Sequence, residues 1–118
     1  MDPDESLARV AADARRSEER AAKMPAFEAA IAQARGEAVS PRRDIRVEVD
    51  STGRVVSLRI AEPALSRGGR RLSQDVLTLI RAAEADARRV TLESVERLLG
   101  TDDPITQQLR SAGPAASC

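Results

Sequence analysis

The sequence predicts an α+β protein: an N-terminal helix, a small antiparallel sheet built on one hairpin, and a long C-terminal helix. Three observations carry this. Apolar and small residues recur at helical spacing through the first 35 positions. Strict alternation of apolar and polar residues flanks a glycine turn between Ile45 and Ile60. Helical spacing then returns from about residue 70 to Leu99. A chain of 118 residues is one domain by length. We take residues 1–100 as that domain and 101–118 as a mostly disordered tail.

The first helix is expected over 4–35, with Pro3 suiting a helix start. Leu7, Val10, Ala14, Ala21, Met24 and Ile31 fall on one seam, which Ser17 and Glu28 interrupt. Pro25 removes a backbone donor and disfavours helical geometry at Met24. Two pieces are therefore expected, roughly 4–23 and 25–35, with Pro25 in the first turn of the second. A kinked continuous helix is the alternative. Gly36 is the expected stop.

The hairpin covers 44–60. Ile45, Val47 and Val49 alternate with Arg46 and Glu48, and Val56, Leu58 and Ile60 alternate with Ser57 and Arg59. A four-residue loop, Asp50-Ser51-Thr52-Gly53, sets Val49 against Arg54, Val47 against Val56 and Ile45 against Leu58. That gathers the apolar side chains on one face. A three-residue loop would set Val47 against Ser57 and split the face, so the longer loop is expected. Val39 and Ser40 are candidates for a short strand ahead of Pro41.

"AEPALSRGG" is a connector. The long helix follows over 70–99, with Leu72, Val76, Leu79, Ile80, Ala83, Ala87 and Val90 at helical spacing and Gly100 at its end. "TDDPITQQLR" has the signature of one short further helix, with Asp103 as cap and Pro104 at its first position. Disorder is expected for "SAGPAASC".

Composition excludes much chemistry. The chain holds 19 Lys and Arg against 19 Asp and Glu, so its formal charge is zero. It has no His, Trp or Tyr, and its one cysteine is Cys118. No Cys/His zinc cluster, no Ser-His or Cys-His nucleophile and no phosphate-cradling glycine loop can be assembled. An enzyme, a cofactor and a small-molecule substrate are therefore not expected. Phe27 is the one aromatic residue, too little for a platform that stacks unpaired bases. There is no run of about 18 apolar residues, so no membrane span is expected. The acidic start "MDPDESL" is unlike a secretory leader, and the expected location is the cytoplasm.

A small sheet covered on one face leaves strand edges unpaired and is marginal alone. Pairing with a second copy would satisfy the edges, so a homodimer with joined sheets is expected. Val47, Val49, Val56 and Leu58 are the candidate interface residues.

The stretch from Gly36 to Ala87 resembles the YbaB/EbfC family of bacterial nucleoid-associated proteins. Its parts are Val47 and Val49 ahead of the Gly53 turn, and Val56, Leu58 and Ile60 with Pro63 following. Leu72, Val76, Leu79, Ile80, Ala83, Asp86 and Ala87 complete it on the long helix. It looks most like the divergent actinobacterial branch of the family. The resemblance implies a homodimer whose helices project from joined sheets and which binds double-stranded DNA in the nucleoid. The candidate phosphate contacts are Arg67, Arg70 and Arg71 at the start of the long helix, Arg42 and Arg43 beside the hairpin, and Arg15, Arg16 and Arg20 on the first helix. Arg70 and Arg71 stand at the end of the helix dipole that disfavours cations, which is the physical reason to assign them an anion. Such contacts carry little sequence preference. A second reading is a dimeric scaffold protein without DNA binding, an accessory of a type VII secretion locus, marked by an apolar stripe left bare on the helices.

Overall fold

A computed structural model describes residues 3–112. Helix α1 spans Pro3–Gln33, strand β1 Arg35–Val39, β2 Ile45–Asp50 and β3 Val55–Ile60. A 3-10 segment, Glu62–Arg67, leads into α2, Gly69–Leu99, and α3 follows at Pro104–Ala112. The three strands are antiparallel in the order β1-β2-β3. The molecule is long and narrow, 76 × 27 × 18 Å.

Helix α1 does not divide at Pro25; it runs unbroken through it for 31 residues. Pro25 and Ala21, whose carbonyl would have received the missing N–H, are both exposed. Water can therefore reach the freed carbonyl, and the helix continues. The seam is only partly used. Met24, Phe27 and Ile31 are half-buried, whereas Leu7 is 69% and Val10 66% exposed. The first half of α1 is thus an arm with little packed against it.

The helix also ends earlier than the sequence suggests, and Gly36 has a different task. It lies inside β1, which begins at Arg35 and is longer than a strand at Val39 and Ser40. A Cβ on Gly36 would collide with the backbone of α2 at Ala83 and Ala87. Glycine here is a requirement of close approach between strand and helix, rather than of a helix end.

The hairpin register differs from the expectation. Val47 faces Leu58, Ile45 faces Ile60 and Val49 faces Val55. The loop is the shorter one, Ser51-Thr52-Gly53: Asp50 N–H donates to the Arg54 carbonyl (2.9 Å) and Gly53 N–H to the Asp50 carbonyl (3.0 Å). Gly53 has φ +87°, the left-handed residue that ends such a loop. The carboxylate of Asp50 accepts from the Thr52 hydroxyl and from the Thr52 and Arg54 N–H groups. A three-residue loop alone would split the apolar face. A bulge between Glu48 and Val49, with Val56 as the extra residue on β3, shifts the register once more and restores it.

Helix α2 covers β1 and β2. Ile45, Val47 and Val49 are at most 1% exposed and pack with Ala64, Leu79, Ala83 and Ala87. Each large side chain so buried contributes roughly 1.5–3 kcal/mol. Strand β3 lies outside this cover: Val56, Leu58 and Ile60 are 47%, 45% and 38% exposed. The two sheet edges are treated differently. On β1, the outward Glu37 N–H donates to Asp86 Oδ2 of α2 at 2.9 Å. On β3, Ala61 N–H turns inward to the Asp44 carbonyl. By the alternation of an antiparallel ladder, the N–H groups of Leu58 and Ile60 therefore turn outward.

The segment after Gly100 forms α3 as its cap signature suggests. Asp103 Oδ1 accepts from Ile105 N–H at 2.9 Å, and Arg20 of α1 binds the other carboxylate oxygen at 2.7 Å. The tail is therefore not mostly disordered from residue 101: α3 runs through Ser111 and Ala112, the first two residues of "SAGPAASC", with the Ser111 hydroxyl donating to the Gln107 carbonyl. Residues 113–118, and with them the role of Cys118, lie outside the described residues.

Gly36→Ala is expected to lose at least about 3 kcal/mol of stability, because backbone must move to admit the methyl group. Gly69→Ala, with open space around its Cβ, is expected to be neutral or slightly stabilising. Urea denaturation of both variants measures the contrast.

Candidate nucleic-acid interface

One end of the molecule gathers three segments: the β1–β2 turn, the 3-10 segment and the first turns of α2. The turn is organised by Ser40, which is 5% exposed. Its hydroxyl donates to Asp44 Oδ1 at 2.7 Å and accepts the N–H groups of Asp44 and Ile45. Arg43 N–H closes the turn onto the Ser40 carbonyl, and Arg43 itself adopts φ +61°, a left-handed conformation uncommon for a residue other than glycine. Arg42 and Arg43 are thereby held on an exposed tip.

Arg67 joins the turn to α2. Its Nη2 donates to Asp44 Oδ2 at 2.7 Å, and its Nη1 lies 3.6 Å from Asp75 Oδ2, with the Arg67 side chain only 16% exposed. Nη1 is buried without a hydrogen-bond partner. The Ser40 hydroxyl, then Arg67, hold the Asp44 carboxyl below its ordinary range. Arg67 is thus a structural cation, and its charge is already answered within the chain.

Arg70 and Arg71 differ. Helix α2 starts after Gly68 (φ +86°), a cap position with no side chain to offer, and Ser66 Oγ donates to the Pro63 carbonyl. Both arginines are exposed and make no ion pair among the described residues. Arg42 and Arg43 are likewise unpaired. A recess of about 480 Å³ lies among Arg42, Arg67, Arg71, Asp75, Thr78 and Leu79, with Ser40 and Pro41 also in its lining.

The α1 arginines are not brought to this end. Arg20 reaches Asp103 beyond the far end of α2, so most of the helix length, about 40 Å at 1.5 Å per residue, separates the two groups. Arg16 pairs with Asp13 at 2.6 Å and Arg20 with Asp103, leaving Arg15 without an ion pair among the described residues. Elsewhere Arg89 binds Asp86 and Glu93, Arg46 binds Glu37, and Arg110 binds Glu96.

Of the residues expected at a dimer interface, Val47 and Val49 are consumed by the core of one chain, at 0% exposure. Val56 and Leu58 remain open, on the strand with the unpaired edge. Ile60 belongs with them. Alternation alone could not separate these sets, because both strands carry the same pattern and only the placement of α2 divides them. Asp75 and Thr78 were also missed as neighbours of Arg71; their spacing, four and seven residues on, puts all three on one helix face.

Among the described residues, no group of three or more His, Cys, Asp or Glu side chains could hold a metal ion. No helix is long and apolar enough to cross a membrane.

A profile described as the YbaB/EbfC DNA-binding family matches residues 6–102, most of the chain. No curated protein and no solved structure matches.

Asp44, Asp50 and Asp86 all have carboxyls held below their ordinary range. The leading causes are the Ser40 hydroxyl, the Thr52 hydroxyl and the Glu37 N–H, respectively. Groups lowered on folding add stability that is complete above about pH 4 and lost as pH falls through their folded values. The melting temperature is therefore expected to be level from neutral pH to about pH 5 and to fall below about pH 4. Asp86→Asn should flatten part of that fall in melts followed by circular dichroism.

Proposed function

The chain belongs to the YbaB/EbfC DNA-binding family, and from that premise we propose that it binds double-stranded DNA as a non-enzymatic homodimer of the bacterial nucleoid, with little sequence preference. The family match is the observation that carries this reading. The arrangement of charge supports it. In a chain of zero net charge, Arg16, Arg20, Arg46, Arg67, Arg89 and Arg110 are answered by carboxylates, while Arg42, Arg43, Arg70 and Arg71 stand exposed and without an ion pair among the described residues, gathered at one end. Four such residues suit contacts to backbone phosphates. Nothing comparable is presented for reading base edges, and phosphate contacts carry no sequence information. Arg67 holds this end together from within. Arg15 is a second and separate point of contact on the arm.

Dimerisation is supported by the uneven edges of the sheet. The β3 edge has free backbone groups beside exposed Val56, Leu58 and Ile60. Two β3 strands meeting antiparallel would pair those groups and cover the apolar side chains. The dimer would also present two arginine clusters to one duplex, so their contributions multiply.

Fluorescence anisotropy of a labelled duplex is the direct test. Binding is expected to weaken steeply between low and physiological salt, with log K falling by about 0.9 per phosphate contacted for each tenfold rise in salt. Arg70→Ala with Arg71→Ala should reduce both affinity and that slope. Absence of binding at low salt would overturn the DNA reading.

Leu58→Pro removes an N–H that, by the alternation of the ladder, turns away from β2. It is expected to give a folded monomer by light scattering and circular dichroism. An unchanged dimer would exclude joining through β3.

A further inference from the structure

The recess beside the α2 start is more than a basic surface. Three arginines from three separate segments converge on it: Arg42 from the β1–β2 turn, Arg67 from the 3-10 segment and Arg71 from α2. Only Arg67 has its charge answered, by Asp44 at 2.7 Å and Asp75 at 3.6 Å. Arg42 and Arg71 leave two unpaired guanidinium groups at a concave space. Guanidinium forks match phosphate oxygens in pairs, which a point charge does not. The remaining lining is suited to the group that a phosphate ester carries. Pro41 and Leu79 offer apolar contact, and Thr78 and the Asp75 carboxylate offer hydrogen bonds to hydroxyls. At about 480 Å³ the space falls within the range of roughly 300–1,000 Å³ typical of small-molecule sites.

We propose that this recess is a binding site for a sugar-phosphate unit, with Arg42 and Arg71 as the phosphate ligands and Arg67 as the positioning residue. The inference rests on the DNA reading for one source of that unit, the duplex backbone. A free phosphorylated sugar or nucleotide is the other source, and it would compete with DNA for the same two arginines. The absence of Trp and Tyr from the chain places recognition in the phosphate and sugar rather than in a stacked base.

The test uses the full chain. Arginine side-chain N–H resonances are followed during titration with ribose 5-phosphate, with ribose and sulfate as controls at constant ionic strength. The same additions are made to the protein–duplex complex in the anisotropy assay. Arg42→Ala/Arg71→Ala is compared with Arg81→Ala, an exposed α2 arginine outside the recess, and melting curves establish that both fold. The expected result is saturable movement of the Arg42 and Arg71 resonances by ribose 5-phosphate, at least tenfold weaker binding in the double variant, and none of this loss in Arg81→Ala. Displacement of duplex by ribose 5-phosphate would assign the recess to the backbone. Saturable ribose 5-phosphate binding without any duplex binding would keep the recess as a free-ligand site while removing the DNA reading. Duplex binding that neither ribose 5-phosphate nor the double variant affects would overturn the recess and leave the DNA reading standing. An equal response to sulfate, or an equal loss in Arg81→Ala, would also overturn it, as general charge attraction.

Discussion

Backbone meets backbone where Gly36 of β1 lies on Ala83 and Ala87 of α2. Most of the architecture follows from that approach. A strand without a side chain at this point lets the helix sink onto β1 and β2, and three small residues form the closest seam. Ile45, Val47, Val49 and Leu79 then complete a core that excludes water. Because α2 is drawn toward β1, it does not reach across the sheet. The exposed side chains of β3 are thus the other half of the same packing decision. A sheet three strands wide is broader than one helix, and the glycine determines which side is left bare.

The two long helices and the hairpin could be read from periodicity because each carries many concordant residues. What could not be read was set by single residues acting at a distance. Gly36 follows a helix and resembles a terminator, but its role depends on Ala83, almost fifty positions away. Pro25 looks like a break, but both it and Ala21, whose carbonyl it deprives, are exposed, so water can serve that carbonyl and helix geometry persists. The loop at Asp50 was a choice between two registers. The chain takes the shorter turn and corrects the face with a bulge, a solution invisible to a pattern of strict alternation. The arginine clusters could be located in the sequence. Which members were neutralised could not, since Asp44 meets Arg67 and Asp103 meets Arg20 only in the fold.

Charge in this protein is therefore best understood as arginines sorted by partner. Equal numbers of acids and bases would suggest a surface without polarity. Folding answers the cations unevenly: at the α2 start Arg67 takes Asp44 and Asp75, while Arg42, Arg43, Arg70 and Arg71 form no ion pair among the described residues. Arg67 takes part in this sorting by binding both Asp44 and Asp75, the second of which shares the recess lining with Arg71.

The hydrogen bond from Glu37 to Asp86 has a consequence at the scale of assemblies. Two copies joined at β3 would form one continuous sheet with β1 at each outer end. There the next strand would meet a carboxylate of α2 already seated on the backbone, together with the helix that carries it. Growth of the sheet would be closed at two copies by symmetry and by occupancy of its ends. The contact that tethers a helix to its own strand would then act as a terminator, separating a discrete dimer from an open filament.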